Sequence, residues 1–266
     1  MRYVHDYESA HASNMVNVRT AERNAGFFLP YLRPGMRVLD VGCGAGSITV
    51  GFAPAVSPGE VVGIEIDEGQ VDLGNNRATQ MGLHNVRFEP GDVHSLPYPD
   101  ASFDAAFAHA VIEHVDRPQH AVEEMLRVVK PGGFIGIRTT AAGGILFAPM
   151  TPPLREAWDI YLRFRQHNGG NPFIGAHLKT LLRDAGVASV KWSASYDVWS
   201  TPEEVHSFMD VHLAEMAGPR IVEQATTLGW VGPEHFKVAQ TAIHKWGQDP
   251  DAIFAVAMGE AVGWKA

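Results

Sequence analysis

An α/β fold with a mostly parallel sheet flanked by helices is what this sequence predicts. Three observations carry the prediction. Short apolar runs alternate with helix-compatible stretches from residue 37 to residue 140. The runs are too short for helices and apolar on both faces, as strands covered by helices on each side must be. The first run ends in a glycine cluster, Gly42-Cys43-Gly44-Ala45-Gly46, where such folds turn from strand to helix.

Arg37 to Val41 (RVLDV) is the first strand, and a helix-compatible stretch follows from Ser47 to Ala55. Pro58-Gly59 makes a turn, and Val61 to Ile66 (VVGIEI), rich in β-branched residues, is a second buried strand. Glu68 to Met81 places Val71, Gly74, Ala78 and Met81 on one helical face, with Asp67 as N-cap and Gly82 as stop. Val86 to Glu89 and Phe103 to Ala108 are the third and fourth strands. Between Arg117 and Lys130, Val122, Met125, Leu126 and Val129 follow the spacing of an amphipathic helix. Pro131-Gly132-Gly133 ends it, and Phe134 to Thr140 is a fifth strand. Beyond Ala141 the rhythm changes. Gly- and Pro-rich irregular chain surrounds an aromatic helix over 154–164, then come a helix at 178–185, a strand at 187–198 and a mostly helical stretch at 202–246. Residues 253–264 fit a strand or a helix.

Strand–helix alternation implies right-handed parallel crossovers, with ligands beyond the C-terminal strand ends. Candidate chemistry therefore falls at residues 40–47, 65–67, 92–94 and 109–116. A length of 266 residues allows one large domain or two at roughly 150 residues each. Apolar residues at 45% and charged residues at 19% suit a globular core. A net charge of -9 argues against gripping a phosphate backbone by charge. One cysteine, Cys43, excludes an internal disulfide and a CxxC zinc site. The histidines at 5, 11, 206, 212, 235 and 244 lack metal-ligand spacing, so no metal is expected. The N-terminus has no apolar targeting core and no run is long enough to span a membrane, so a cytoplasmic location is expected.

The glycine loop is the most informative stretch. Glycine permits a tight strand-to-helix turn and lets a ligand lie against bare backbone, and the helix that follows offers free N–H groups. A dinucleotide GxGxxG pattern would need its third glycine at 47, which is Ser47; here the pattern is GxGxG, with Asp40 before it. LDVGCGAGSIT resembles motif I of the class I S-adenosylmethionine (SAM)-dependent methyltransferases. The resemblance continues in order through VVGIEID, GDVHSLPYPDASFDAAFAHAVIEHV and LRVVKPGGF, closely over residues 36–140. It is strongest to the methyltransferase type 11 branch, which holds ubiquinone/menaquinone C-methyltransferases and many natural-product methyltransferases.

That resemblance implies a Rossmann-like sheet with helical lid and cover insertions, all in one methyltransferase domain over 1–266. Residues 1–35 would form the lid and 36–140 the SAM-binding core. Residues 141–176 and 202–249 would be covers, and 177–201 and 250–266 would complete the sheet. It implies SAM as cofactor. Glu65, which ends the second strand, becomes the acid that accepts from both ribose hydroxyls; the alternative is a surface strand-end Glu. Ile66 would pack on the adenine face, Asp92 would accept from the adenine amino group, and the Val93 backbone would read the ring edge. Gly42 and Gly44 give close approach, Asp40 holds the loop, and His109 borders the methionine part. Arg19 or Tyr7, beside Tyr3 and His11, would reach the SAM carboxylate or lie on an ordinary surface helix. Asp104 reads as structural, and Cys43 as a small residue in a tight turn.

His114 lies just past the fourth strand and is the candidate general base, with a loop histidine as the alternative. Phe147, Trp158, Tyr161, Phe164, Phe173, Tyr196, Trp199 and Phe208 either line an apolar acceptor pocket or form the core that docks the cover. The expected function is methyl transfer to a small apolar or aromatic acceptor by in-line displacement. A nicotinamide-dependent oxidoreductase and a non-catalytic SAM-binding protein are the alternatives. Nucleic acid as substrate is disfavoured by the missing Asn/Asp-Pro-Pro-Tyr motif and the absence of a basic patch. The oligomeric state stays open, a homodimer among the options.

Overall fold

The structure, a computed structural model, describes residues 19–209 and 216–266. Tyr3, Tyr7, His11 and most of the expected lid therefore lie outside the described residues, as does His212.

Eight strands form one sheet in the order β3-β2-β1-β4-β5-β8-β6, with β7 paired to the other side of β8. The five parallel strands are β1 (Arg37–Val41), β2 (Glu60–Glu65), β3 (Val86–Pro90), β4 (Phe103–His109) and β5 (Val129–Thr140). Helices α2 (Thr49–Val56), α3 (Glu68–Gln80) and α4 (Pro118–Val128) make the crossovers. Asp67 caps α3 as expected, its carboxylate accepting from the Gln70 N–H at 2.9 Å. The sheet reverses at β1, where the chain steps to β2 on one side and β4 on the other. That reversal opens the crevice into which the glycine loop projects.

One face of the sheet carries Leu39, Ile64, Ala106, Ile135 and Ile137 under α4 and α6 (Leu178–Asp184). The other carries Val38, Val61, Phe107, Phe134 and Val262 under α2 and the short α1 (Ala21–Asn24). Phe28, fully buried, packs on Phe52, Phe107 and Phe134 at ring separations of 5.7, 5.1 and 5.3 Å. The described part of the 1–35 segment covers one sheet face, which keeps these aromatic rings from water.

Two further details differ from the sequence reading, and one choice it left open is decided. The helix α4 ends at Val128, and β5 starts at Val129 by pairing with Phe103; Lys130 to Gly133 then leave the ladder before Phe134 rejoins it opposite Ala105. Residues 253–265 are a strand, β8 (Ile253–Lys265), because both flanks offer antiparallel partners, β5 on one side and β7 (Val187–Trp199) on the other. A three-residue strand, β6 (Leu146–Ala148), extends β5's position along the far end of β8 inside what reads as a purely irregular cover.

The cover consists of α5 (Pro152–His167), α7 (Pro202–Phe208), α8 (Pro219–Thr227) and α9 (Pro233–Gly247). Its core is aromatic: Phe254 of β8 meets Phe147, Trp158 and Phe208 at 5.2, 5.7 and 4.1 Å. Phe147, Trp158, Phe164 and Phe208 are all buried in this cluster, with Tyr161, Phe173 and Trp199 packed at its margin. For these residues the docking core describes the outcome, and Tyr196 stands apart, exposed on β7. Among the described residues no helix is long and apolar enough to cross a membrane.

Candidate active site

The loops after β1, β2 and β3 are tied into one unit. The Gly42 and Cys43 N–H groups donate to the Ile64 carbonyl at 2.8 and 3.1 Å, and the Gly91 N–H donates to the Glu65 carbonyl at 2.8 Å. The Glu65 carboxylate closes the arrangement. It accepts from the Gly44 N–H at 2.9 Å and from the Ile66 N–H at 2.7 Å, and it is buried. Glu65 is therefore no free surface acid. Each carboxylate oxygen has more than one lone-pair position, so backbone anchoring leaves capacity for hydroxyl donors. Burial raises its pKa, opposed by the Gly44, Ile66 and Asp67 N–H groups.

The loop conformation requires glycine at two points. Gly46 has φ +75° and a side chain there would start 2.3 Å from the Phe88 ring; Gly42 has φ +66° and would meet Val111 at 2.4 Å. Cys43 is buried within the turn, and burial, with Asp40 and Glu65 nearby, pushes its thiol well above the usual range. It is not poised as a thiolate nucleophile.

Asp40 sits beneath the loop, 2% exposed, and accepts from the Thr49 hydroxyl at 2.6 Å. Burial lifts its pKa to about 7; the Thr49 hydrogen bond opposes this and Glu65 adds to it. The folded protein therefore holds a proton that the unfolded chain loses near pH 4. Stability from this group is present below that pH and is lost as pH rises toward about 7, by something on the order of 4 kcal/mol in total. Denaturant titrations of wild type and Asp40→Asn at pH 5 and pH 8 check this. The wild type is expected to lose more stability than the variant between the two, and equal losses would refute it.

Ile66, next in the chain, is 56% exposed despite its size. An apolar side chain left open beside a buried acid is what a flat ring would cover. Across the crevice Val93 is buried, and the Asp92 carboxylate is held by His94, whose N–H and Nδ1 both lie 2.9 Å from Oδ1. His94 also stacks on His120, with ring centroids 6.2 Å apart. Asp104, read as structural, accepts from the Arg37 N–H at 2.7 Å and from Lys130 Nζ at 2.6 Å.

His109 ends β4 buried, and among the described residues neither ring nitrogen has a hydrogen-bond partner. Burial, then the charges of Arg19 and Arg138, hold its pKa well below the usual range, so the imidazole is neutral. Ala110 follows with φ +54°, a left-handed conformation that costs a non-glycine residue roughly 1–2 kcal/mol. Its N–H donates to the Arg138 carbonyl at 2.9 Å, which fixes the exit from β4.

The loop then reaches Glu113 and His114. Glu113 is buried; it accepts from the Thr139 hydroxyl, from the Thr140 hydroxyl at 2.6 Å and from the Thr140 N–H at 3.2 Å. It pins the loop to the end of β5. His114 Nδ1 lies 3.0 Å from an Arg165 guanidinium nitrogen. Guanidinium has only donors, so Nδ1 accepts in this contact, and Nε2 lies 3.8 Å from Glu113 Oε1. Glu113, His94 and Arg165 escaped the sequence reading. The first two lie beside motif residues, but Arg165 is 51 positions from His114 and has no local signal. Among the described residues, no group of three or more His, Cys, Asp or Glu is arranged to hold a metal ion.

A family model described as a methyltransferase domain matches residues 32–159, the stretch that carries this crevice. An uncharacterized methyltransferase of Schizosaccharomyces pombe is 31% identical over 195 residues, covering 70% of this chain and 69% of that one.

The chain belongs to the class I SAM-dependent methyltransferases.

The methyltransferase is also 40% identical over 132 residues to the 27-O-demethylrifamycin SV methyltransferase of Amycolatopsis mediterranei, covering 49% of this chain and 46% of that one. Its fold matches the crystal structure of the YcgJ protein from Bacillus subtilis with a TM-score of 0.62 at 22% identity, covering 92% and 98% of the two chains. SAM is the cofactor, and the crevice suits it. The methyltransferase offers an acid among backbone donors, an open apolar side chain beside it, and a buried imidazole whose nitrogens have no partner among the described residues.

Proposed function

We propose that this methyltransferase methylates a small organic molecule with an apolar or aromatic part, by in-line displacement, at the ends of β4 and β5. Bound SAM supplies the electrophilic methyl group. Glu65 accepts from the ribose hydroxyls, Ile66 covers the adenine ring, and Asp92 and the Val93 backbone read its edge. Gly42 and Gly44 let the methionine part approach the loop, with Asp40 supporting that loop from below. His109 and Arg19 border the methionine end. The protein's contribution is placement of two reactants, which is where most of the barrier reduction in such a transfer originates.

One observation carries the acceptor assignment: Arg165, on the cover helix α5, reaches His114 at the end of β4. This contact seats the aromatic cover over the point where the acceptor must enter. Tyr161, on the same helix one turn earlier, has its ring 6.0 Å from the Arg165 guanidinium carbon. The acceptor is assigned to the region beside this contact, at the ends of β4 and β5. A rifamycin derivative is the substrate named for the Amycolatopsis relative, a small molecule of the same general class. A net charge of -9 favours such an acceptor over nucleic acid. His114, anchored by Arg165 and with Nε2 3.8 Å from Glu113 Oε1, is the side chain we assign to the acceptor end of the site. The one cysteine is buried and unpaired, which suits a reducing compartment, and we place the reaction in the cytoplasm.

Incubation with labelled SAM and fractionated metabolite extracts tests the assignment. Label is expected in small apolar products, and label appearing only in nucleic acid or protein would overturn it. His114→Ala is expected to slow turnover by about tenfold to a hundredfold with SAM affinity unchanged, as misplacement of a reactant does. Wild-type turnover in that variant would remove His114 from the acceptor site.

A further inference from the structure

The long strand β7 is an edge of the sheet. Among the described residues it pairs only with β8, over nearly all of its 13 residues. Its outer side therefore presents a row of backbone N–H and C=O groups, a template for another strand. The strand is not blunted as solitary edges are: it has no proline, and its one register irregularity lies at its start, between Val187 and Ser189. On one face Trp192, Tyr196 and Val198 are 40%, 46% and 38% exposed, with Ala194 open between them.

The order of side chains along this edge is chemically symmetric about Ala194. Ser193 and Ser195 flank it, then Trp192 and Tyr196, then Lys191 and Asp197, then Val190 and Val198. We propose that a second copy of this chain pairs antiparallel along β7, about a two-fold axis through Ala194 and perpendicular to the sheet. That register sets serine opposite serine, Trp192 opposite Tyr196, Val190 opposite Val198, and Lys191 opposite Asp197, each twice by symmetry. A slip of two residues either way puts Lys191 opposite Ser195 or Trp199 and separates the charges.

The charge pairing has room to form. Lys191 Nζ is exposed and uses one of its donors on the Tyr31 hydroxyl at 3.2 Å. Asp197 is held in place by Arg138, with guanidinium contacts of 2.9 and 3.1 Å, yet keeps 18% of its side chain accessible. The axis turns the two sheets end for end, so the two glycine loops open on opposite sides of the assembly.

Sedimentation of the full chain over a concentration series gives the first test, since dimer content must rise with concentration. A dimer is expected, and Lys191→Asp, which sets like charges opposite each other, is expected to weaken it by about tenfold or more. Ala194→Cys gives the register-specific test. Only residue 194 faces its own copy at cross-strand distance, so mild oxidation is expected to link two chains in that variant and not in Ser193→Cys. The native Cys43 is buried and adds no background. A monomer throughout the series would overturn the proposal. So would a dimer indifferent to Lys191→Asp, or one that fails to cross-link through position 194.

Discussion

Glu65→Ala is expected to weaken SAM binding by about 1–3 kcal/mol, roughly five- to 150-fold in Kd. The magnitude follows from the proposed contacts: the ribose hydroxyls lose a buried acceptor. The same substitution also strips the Gly44 and Ile66 N–H groups of their acceptor, so the glycine loop loosens before any ligand arrives. Two readouts separate these effects. Isothermal titration with SAM reports the affinity, and thermal denaturation without ligand reports the anchoring. Loss of stability with unchanged affinity would leave Glu65 as a loop anchor only. Unchanged values in both would contradict its place in the crevice altogether.

Arg138→Met is expected to destabilise the fold by about 3–5 kcal/mol, the cost of stranding buried charge by removing one partner. Arg138 is 1% exposed at the centre of a charged cluster. Its guanidinium grips Asp197 and reaches Glu260 Oε1 at 3.3 Å. Glu260 in turn accepts from the Ser195 hydroxyl at 2.5 Å and the Ser193 hydroxyl at 2.9 Å. Methionine fills much of the volume but leaves two carboxylates without their cation. Denaturant unfolding of the variant measures the loss, and a change below about 1 kcal/mol would show the cluster to be solvated. Glu260→Gln with Asp197→Asn, added to Arg138→Met, is expected to recover part of the stability, because neutral amides carry no stranded charge.

The parallel half of the fold was legible because its signals are local. RVLDV and VVGIEI announce covered strands by composition, the spacing of Val122, Met125, Leu126 and Val129 announces α4, and Asp67 announces the start of α3. The order of motifs then supplied the cofactor. Less was legible after residue 141. The choice between strand and helix for 253–265 depends on partners in β5 and β7, which lie far away in sequence. The aromatic residues of the cover read equally as pocket or core; their mutual stacking around Phe254 is a tertiary fact. That Phe28 covers an apolar sheet face is likewise a tertiary fact, with no local signal in the sequence.

By itself the sequence determined the five parallel strands, their crossovers, the glycine turn and the acids at the strand ends. Each of these depends on residues close together in the chain: backbone sterics at Gly42 and Gly46, and a carboxylate one residue beyond the last apolar position of β2. Only the tertiary structure decided which polar groups are occupied. Glu65 is already engaged by the loop it serves, His109 is buried with no partner among the described residues, and His114 has its Nδ1 taken by an arginine from the cover. Burial and pairing set the protonation state of such groups, and both are properties of neighbours in space. The same holds for Arg138, an ordinary strand residue in the sequence, which becomes the centre of a buried ion cluster only when β5, β8 and β7 lie side by side.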